Sequence, residues 1–236
     1  MKIIYRISDG GFSKIKPYYV CNKLEVFERF YNVFKDNDIY VIADNVCDET
    51  YNFLLKYIKN DRVFRTQLSN GESFMYAINY CLNNFDIDDI VYFAEDDYLY
   101  TENADKIILE GLEVGDYSSG YDHPDKYINH SEGGPNPFIK DGGEITRVMI
   151  TKNRHWKITN SCCMTFAVKM KTFKEDSIII KKFSSGKIKN SFQMFLALNK
   201  ENKRKVVSCI PAVSTHGETA FLSPFIDWEK EFYKNK

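Results

Sequence analysis

The sequence predicts an α/β domain on a mainly parallel, twisted sheet with helices on both faces, regular in its first half and loopier in its second. Two observations carry this expectation. From residue 2 to residue 100, β-rich apolar runs alternate with segments of helical period, and such alternation winds a parallel sheet. The size and composition also fit, because 236 residues that are 44% hydrophobic and 28% charged build a core without disulfide or metal staples. One domain over 1–236 is expected, with a change of style between 1–100 and 101–236.

Taken in order, KIIYRIS (2–8) is a β-rich run closed by the turn signal Asp9-Gly10-Gly11. KLEVFERFYNVF (23–34) places Leu24, Phe27, Phe30, Tyr31 and Phe34 on one helical face. IYVIADN (39–45) is a buried strand ending in Asp44, a helix follows over 48–57, and VFRTQL (63–68) is the third strand. Asn70-Gly71-Glu72-Ser73 opens a helix through FMYAINYCLNN, and IVYFA (90–94) is the fourth strand. Beyond residue 100 the expected elements are a helix over 103–112, a strand over 116–123 and an irregular Gly- and Pro-rich segment over 131–143. Strands over 145–151 and 156–168, a helix over 191–199 and a strand over 206–210 complete the pattern. No repeat, linker or low-complexity tract interrupts it.

Charge and cysteine usage exclude several classes. Lys plus Arg (32) nearly cancel Asp plus Glu (33), so no global field favours nucleic acid. Six scattered cysteines without a C-x-x-C pair read as reduced thiols and, with no leader-like start, point to a cytoplasmic protein. No run reaches the roughly 18 apolar residues of a membrane span. The P-loop pattern and the G-x-G-x-x-G dinucleotide fingerprint are both absent.

The chemistry concentrates in IVYFAEDDYLY (90–100), where a buried strand runs straight into Glu95, Asp96 and Asp97. Adjacent carboxylates beside an apolar strand repel one another and resist desolvation, so the cluster demands positive charge. Hard cations such as Mg2+ and Mn2+ take carboxylate oxygens together with substrate phosphates, and only one or two of three successive side chains can reach a single ion. The alternative is a solvated turn whose acids cap the helix that follows. In doubly wound sheets ligands bind beyond the carboxyl ends of the strands, where Asp9, Asp44, Asn70 and the acidic cluster all fall.

IVYFAEDDYLY resembles the D-x-D or E-D-D motif that ends the fourth strand of GT-A fold nucleotide-sugar glycosyltransferases. The layout of roughly the first hundred residues is similar to that family, as is NGESFMYAINYCLNN before the motif strand. YDHPDKY (121–127) and the terminal STHGE and LSPFIDW resemble segments of a subgroup from large DNA viruses and bacterial surface-polysaccharide pathways. The resemblance implies a GT-A-like three-layer sandwich, with 1–100 binding the nucleotide and 101–236 the acceptor. It implies Mn2+ or Mg2+, a nucleotide-diphosphate sugar donor (a UDP-sugar first) and a glycan or glycoconjugate acceptor.

By the same resemblance Asp97 is a metal ligand and His216 completes the metal site. Glu95 and Asp96 face the ribose or donor sugar, Asp44 reads the base, Arg6 lies near the base or phosphates, and Asn70 and Ser73 lie beneath the donor. Each residue also has a plainer role open to it: Arg6 as a cross-sheet ion pair, Asp44 and Asn70 as turn residues, Ser69 or Asn70 as a helix cap, and His216 as a packing residue. The chain departs from the inverting members of the family at Asn190-Ser191-Phe192-Gln193, where their acidic base would stand. Asp122 and His123 are the candidates for the reaction centre, against a Pro124 turn fixed by Asp122, while Glu144, Asp176 and Glu218 stay open. His155-Trp156 and Tyr121 are candidates to stack on an acceptor sugar, against a core role for Trp156. A sugar-1-phosphate nucleotidyltransferase and a catalytically silent binding module are the competing readings. The first is opposed by 8–14, which lacks the arginine and proline pattern of its Gly-rich loop.

Overall fold

The computed structural model describes residues 1–10, 15–186 and 190–234; Gly11 of the expected turn and Phe12, Ser13 and Lys14 fall outside it. The first half alternates as expected. Strand β1 (Lys2–Ile7) leads to helix α1 (Lys23–Phe34), β2 (Asp38–Asp44) to α2 (Asp48–Leu54), and β3 (Val63–Thr66) to α3 (Asn70–Asn84), before β4 (Ile90–Glu95) ends at the acidic row. Local chemistry sets the helix starts. The Asn22 side chain accepts from Leu24 N and Glu25 N, and Ser69 with Glu72 forms a reciprocal capping box on α3.

The second half is shorter in its elements. It comprises β5 (Tyr98–Tyr100), α4 (Ala104–Glu110), β6 (Tyr117–Ser119), β7 (Val148–Ile150), β8 (His155–Thr159) and β9 (Phe166–Lys169). Helices α5 (Met170–Ser184) and α6 (Ser191–Asn202), strands β10 (Val206–Ile210) and β11 (Ser214–His216), and α7 (Trp228–Tyr233) follow. The alternating segment 156–168 is two strands rather than one, parted at a turn where Cys163 takes φ 54°. Helix α5 lies outside the sequence-based expectations, although Met170, Phe173, Ile179 and Ile180 are buried along it.

Among the described residues the central sheet has nine strands in the order β3-β2-β1-β4-β9-β6-β10-β8-β7. β1 to β4 are parallel, β9 enters antiparallel between β4 and β6, β10 runs parallel to β6, and β8 and β7 close the edge antiparallel. The sheet is therefore mixed but largely parallel. Alternation along each strand splits the core into two layers. Ile3, Tyr5 and Ile7 of β1 pack toward α1, α2 and α4, while Ile4 packs toward α3, α5 and α6. Burial on both faces explains why β1, β2 and β4 read as nearly continuous apolar runs. A second, two-stranded ribbon pairs β5 with β11.

Phe34, fully buried on α1, has ring neighbours Phe30 at 4.8 Å, Tyr100 at 4.9 Å and Tyr92 at 5.6 Å. Phe34→Ala is expected to cost about 3–5 kcal/mol in urea unfolding, the range for deleting a buried aromatic ring.

Candidate functional site

A cavity of about 750 Å3 opens at the carboxyl ends of β1, β2 and β4. Arg6, Asp44, Asn70, Ser73, Glu95, Asp96, Asp97 and His216 all line it. The parallel half of the sheet brings these ends together, as the strand order requires.

Each member of the acidic row has its own protein cation. Arg6 Nη2 donates to Glu95 Oε1 at 2.8 Å, Lys23 Nζ lies 2.7 Å from Asp96 Oδ2, and Lys16 Nζ lies 3.4 Å from Asp97 Oδ2. Ser8 N also donates to Asp96, at 2.9 Å. Burial raises the Asp96 carboxyl above the ordinary range, with the neighbouring Asp97 charge adding to the rise and Lys23 opposing it. Burial opposes ionisation of Asp97 too, but His216 and Lys16 outweigh it and hold that carboxyl well below the usual range. The two acids are thus pushed apart, one toward the neutral form and one toward the charged.

Arg6 is committed to the protein. Nη1 donates to Asn70 O at 2.9 Å and Ser73 Oγ at 3.1 Å, and Nη2 donates to Asn70 Oδ1 at 2.6 Å as well as to Glu95. Desolvation lowers the guanidinium to about 10. Arg6 therefore ties the α3 N-terminus to the acidic row at the cavity wall, with most of its donor fork facing protein acceptors. Asp44 Oδ1 accepts from Leu68 N at 2.7 Å and Thr66 Oγ1 at 2.9 Å, which holds the β2 and β3 ends together at the cavity wall.

His216 reaches the site through the ribbon. β11 pairs with β5 in the register His216↔Tyr98, one residue beyond Asp97, and Gly217 N donates to Asp97 O at 2.6 Å. A Cβ on Gly217 would lie 2.5 Å from Val20 Cγ1 and 2.8 Å from Asp97 O, so this approach requires glycine. His216 Nε2 is 3.3 Å from Asp97 Oδ2, and Nδ1 is 3.5 Å from Glu218 Oε1. Asp97, His216 and Glu218 each offer a ligand atom, and these atoms lie within 4.8 Å of one another. The set is oxygen-rich with one imidazole, and among the described residues the buried His216 Nδ1 makes no hydrogen bond beyond its 3.5 Å approach to Glu218, so the residues fit a divalent cation.

Other expectations meet a different structure. Asp122 is buried and paired with Lys157 Nζ at 2.9 Å and Tyr127 OH at 2.5 Å. His123 Nδ1 accepts from Asp125 N at 3.0 Å and starts the turn at Pro124. Neither belongs to the cavity lining, because the strand over 116–123 ends at Ser119 and the chain turns inward. Trp156 is fully buried with Nε1 bonded to Thr151 Oγ1, and Tyr121 is 1% exposed, so neither presents a face to a sugar. Asp176 is locked by Tyr117, Asn202 and Arg204, and Glu144 accepts from Thr159 and Asn160.

Ser191 at the start of α6 does line the cavity, and no acid stands in that first turn. Glu218, left open by the sequence, also lines the cavity, as do Lys16 and Lys23, two charged residues to which the sequence pattern assigned no role. The signal for the lysines is the positive charge that three adjacent acids demand, and both follow the first strand, in IKPYYVCNK (15–23).

No protein family matches the sequence, and no curated protein matches it. Solved structures do. A Desulfovibrio desulfuricans protein assigned as a nucleotide-diphospho-sugar transferase superposes with TM-score 0.51 at 10% identity, over 88% of this chain and 78% of that one. The galactosyltransferase LgtC, solved with donor and acceptor sugar analogues, gives TM-score 0.45 at 12% identity, over 88% of this chain and 73% of that one. A 4-diphosphocytidyl-2C-methyl-D-erythritol synthase from Anaerococcus prevotii gives TM-score 0.48 at 16% identity, over 99% of this chain and 93% of that one. At 10% identity the first of these superpositions shows a shared α/β fold and nothing finer. No described helix is long and apolar enough to cross a membrane.

Two outcomes are expected from this geometry. Gly217→Ala should destabilise by about 1–3 kcal/mol in urea unfolding, because the added methyl overpacks the ribbon against Asp97 and Val20. Asp97, with its folded carboxyl held low, contributes stability that is present above the ordinary carboxylate range, about pH 4, and is lost as pH falls toward the folded value. The stability difference between wild type and Asp97→Asn should therefore shrink on acidification, as read by urea titrations across that range.

Proposed function

We propose that the chain is a divalent-cation-dependent glycosyltransferase that moves a sugar from a nucleotide-diphosphate donor, a UDP-sugar first, to a hydroxyl of a glycan or glycoconjugate. The observation that carries this reading is the meeting of Asp97, His216 and Glu218 beside a cavity of small-ligand size at the strand ends. Asp97, His216 and Glu218 would hold Mn2+ or Mg2+. When bound, the ion supplies Lewis-acid stabilisation of the departing diphosphate.

The remaining roles belong to side chains that line the cavity. Asp44, fixed by Leu68 N and Thr66, stands at the β2 end where a base would be read, and it has further acceptor capacity. Glu95 and Asp96 present carboxylate edges to the ribose or the donor sugar. Arg6 orients Asn70, Ser73 and Glu95 as one unit, so the donor meets a floor that does not reorganise. With Asp122 and His123 outside the cavity lining and no acid on the first turn of α6, the acceptor proton has no dedicated carboxylate on the Ser191 side.

Thermal unfolding with nucleotide diphosphates and nucleotide sugars, with and without Mn2+, tests the reading. A ligand at about 100 times its Kd stabilises the native state by about 2.7 kcal/mol. One nucleotide is expected to stabilise the wild type when Mn2+ is present, and Asp97→Asn is expected to lose that response. No shift with any nucleotide and ion would sink the proposal, whereas binding without sugar transfer or donor hydrolysis would leave a silent binding module.

A further inference from the structure

The carboxylate best placed for a cation already has one from the protein. Lys16 Nζ lies 3.4 Å from Asp97 Oδ2, the same oxygen that His216 Nε2 approaches at 3.3 Å. A divalent ion held by Asp97, His216 and Glu218 meets this ammonium on its first ligand. Two positive charges on one carboxylate oxygen repel strongly in a desolvated site.

The two lysines of the site differ. Lys23 is held 2.7 Å from Asp96 Oδ2 and donates to the carbonyls of Ser8 and, at 2.8 Å, Gly10, so it is built into the turn after β1. The Lys16–Asp97 contact is longer than the 2.7–2.9 Å usual for charge-assisted bonds. The Lys16 backbone is anchored on both sides, by Thr219 N donating to Ile15 O at 3.0 Å and by the turn from Pro17 O to Val20 N at 3.0 Å. The side chain is only 6% exposed, and its four-carbon stem can carry the ammonium several ångströms while the backbone stays in place.

We infer that Lys16 is a tethered counter-ion that occupies Asp97 in the resting protein, yields that carboxylate to the divalent ion, and re-pairs with the donor's diphosphate. This rests on the glycosyltransferase reading and deepens it by assigning a residue that couples metal to nucleotide. Without nucleotide, the ion binds against the ammonium that it displaces. With nucleotide, the diphosphate receives the ammonium, and metal and nucleotide each strengthen the other's binding by the same factor.

The test measures Mn2+ binding from the loss of the free aquo-ion electron paramagnetic resonance signal, with and without UDP, in wild type, Lys16→Met and Lys16→Arg. Methionine keeps the apolar stem and removes the charge, arginine keeps the charge, and unliganded melting confirms that each variant is folded. Lys16→Met is expected to bind Mn2+ about tenfold or more tightly without UDP, since a unit charge a few ångströms away is removed. It should also bind UDP more weakly and show a smaller enhancement of Mn2+ affinity by UDP, while Lys16→Arg stays near wild type. If the wild type binds Mn2+ and UDP but Lys16→Met binds Mn2+ no more tightly, the counter-ion role is wrong and the transferase reading stands. If no variant binds either ligand, both fall.

Discussion

Three adjacent carboxylates at the end of a buried strand are the constraint around which this molecule is arranged. A row of acids in that position is unstable unless charge of the opposite sign is delivered from outside the strand. The fold delivers it from three directions: Arg6 from β1, Lys23 from the start of α1 and Lys16 from the loop between them. The first strand and its exit loop are consequently as much a part of the site as the motif strand. Arg6 then passes the constraint on to α3 through Asn70 and Ser73, so the acidic row, the first strand and a helix N-terminus form one rigid corner.

The β5–β11 ribbon adds a second level of organisation. It turns the chain back across the mouth of the cavity and sets His216 beside Asp97 by register rather than by flexible reach. Glycine at 217 is what allows the two backbones to approach, with Gly217 N donating to Asp97 O at 2.6 Å. The imidazole is braced by the Tyr98 ring at 5.0 Å in an edge arrangement. The proposed cation site therefore depends on packing of the C-terminal segment, which sets His216 and Glu218 beside Asp97.

Much of the first half was legible from residue pattern. Alternation of apolar runs with helical-period segments predicts β1 to β4 and α1 to α3, because both faces of a parallel sheet must be covered. The second half resisted the same method for identifiable reasons. Strands of three or four residues carry too few positions for a period to register, and the turn at 160–165 interrupts what reads as one alternating run. The cavity-lining set was legible where it sits at strand ends. Asp122 and His123 follow the strand expected from residue 116, but β6 stops at Ser119 and neither residue is in the cavity lining.

Read alone, the chain dictates an α/β sheet, an acidic row at the end of its fourth strand and the need for positive charge beside it. Those conclusions follow from short-range periodicity and from the cost of burying like charges. Which cation meets which carboxylate, that His216 and Glu218 close on Asp97, and that Asp122 turns inward were decided by the tertiary structure. These pairings join residues as far apart as Arg6 and Glu95, 89 positions apart, or Lys16 and Asp97, 81 apart, and no local pattern encodes contacts of that separation. They arise only when sheet order and ribbon register bring distant segments together, and Coulomb interaction at a few ångströms then selects the partners.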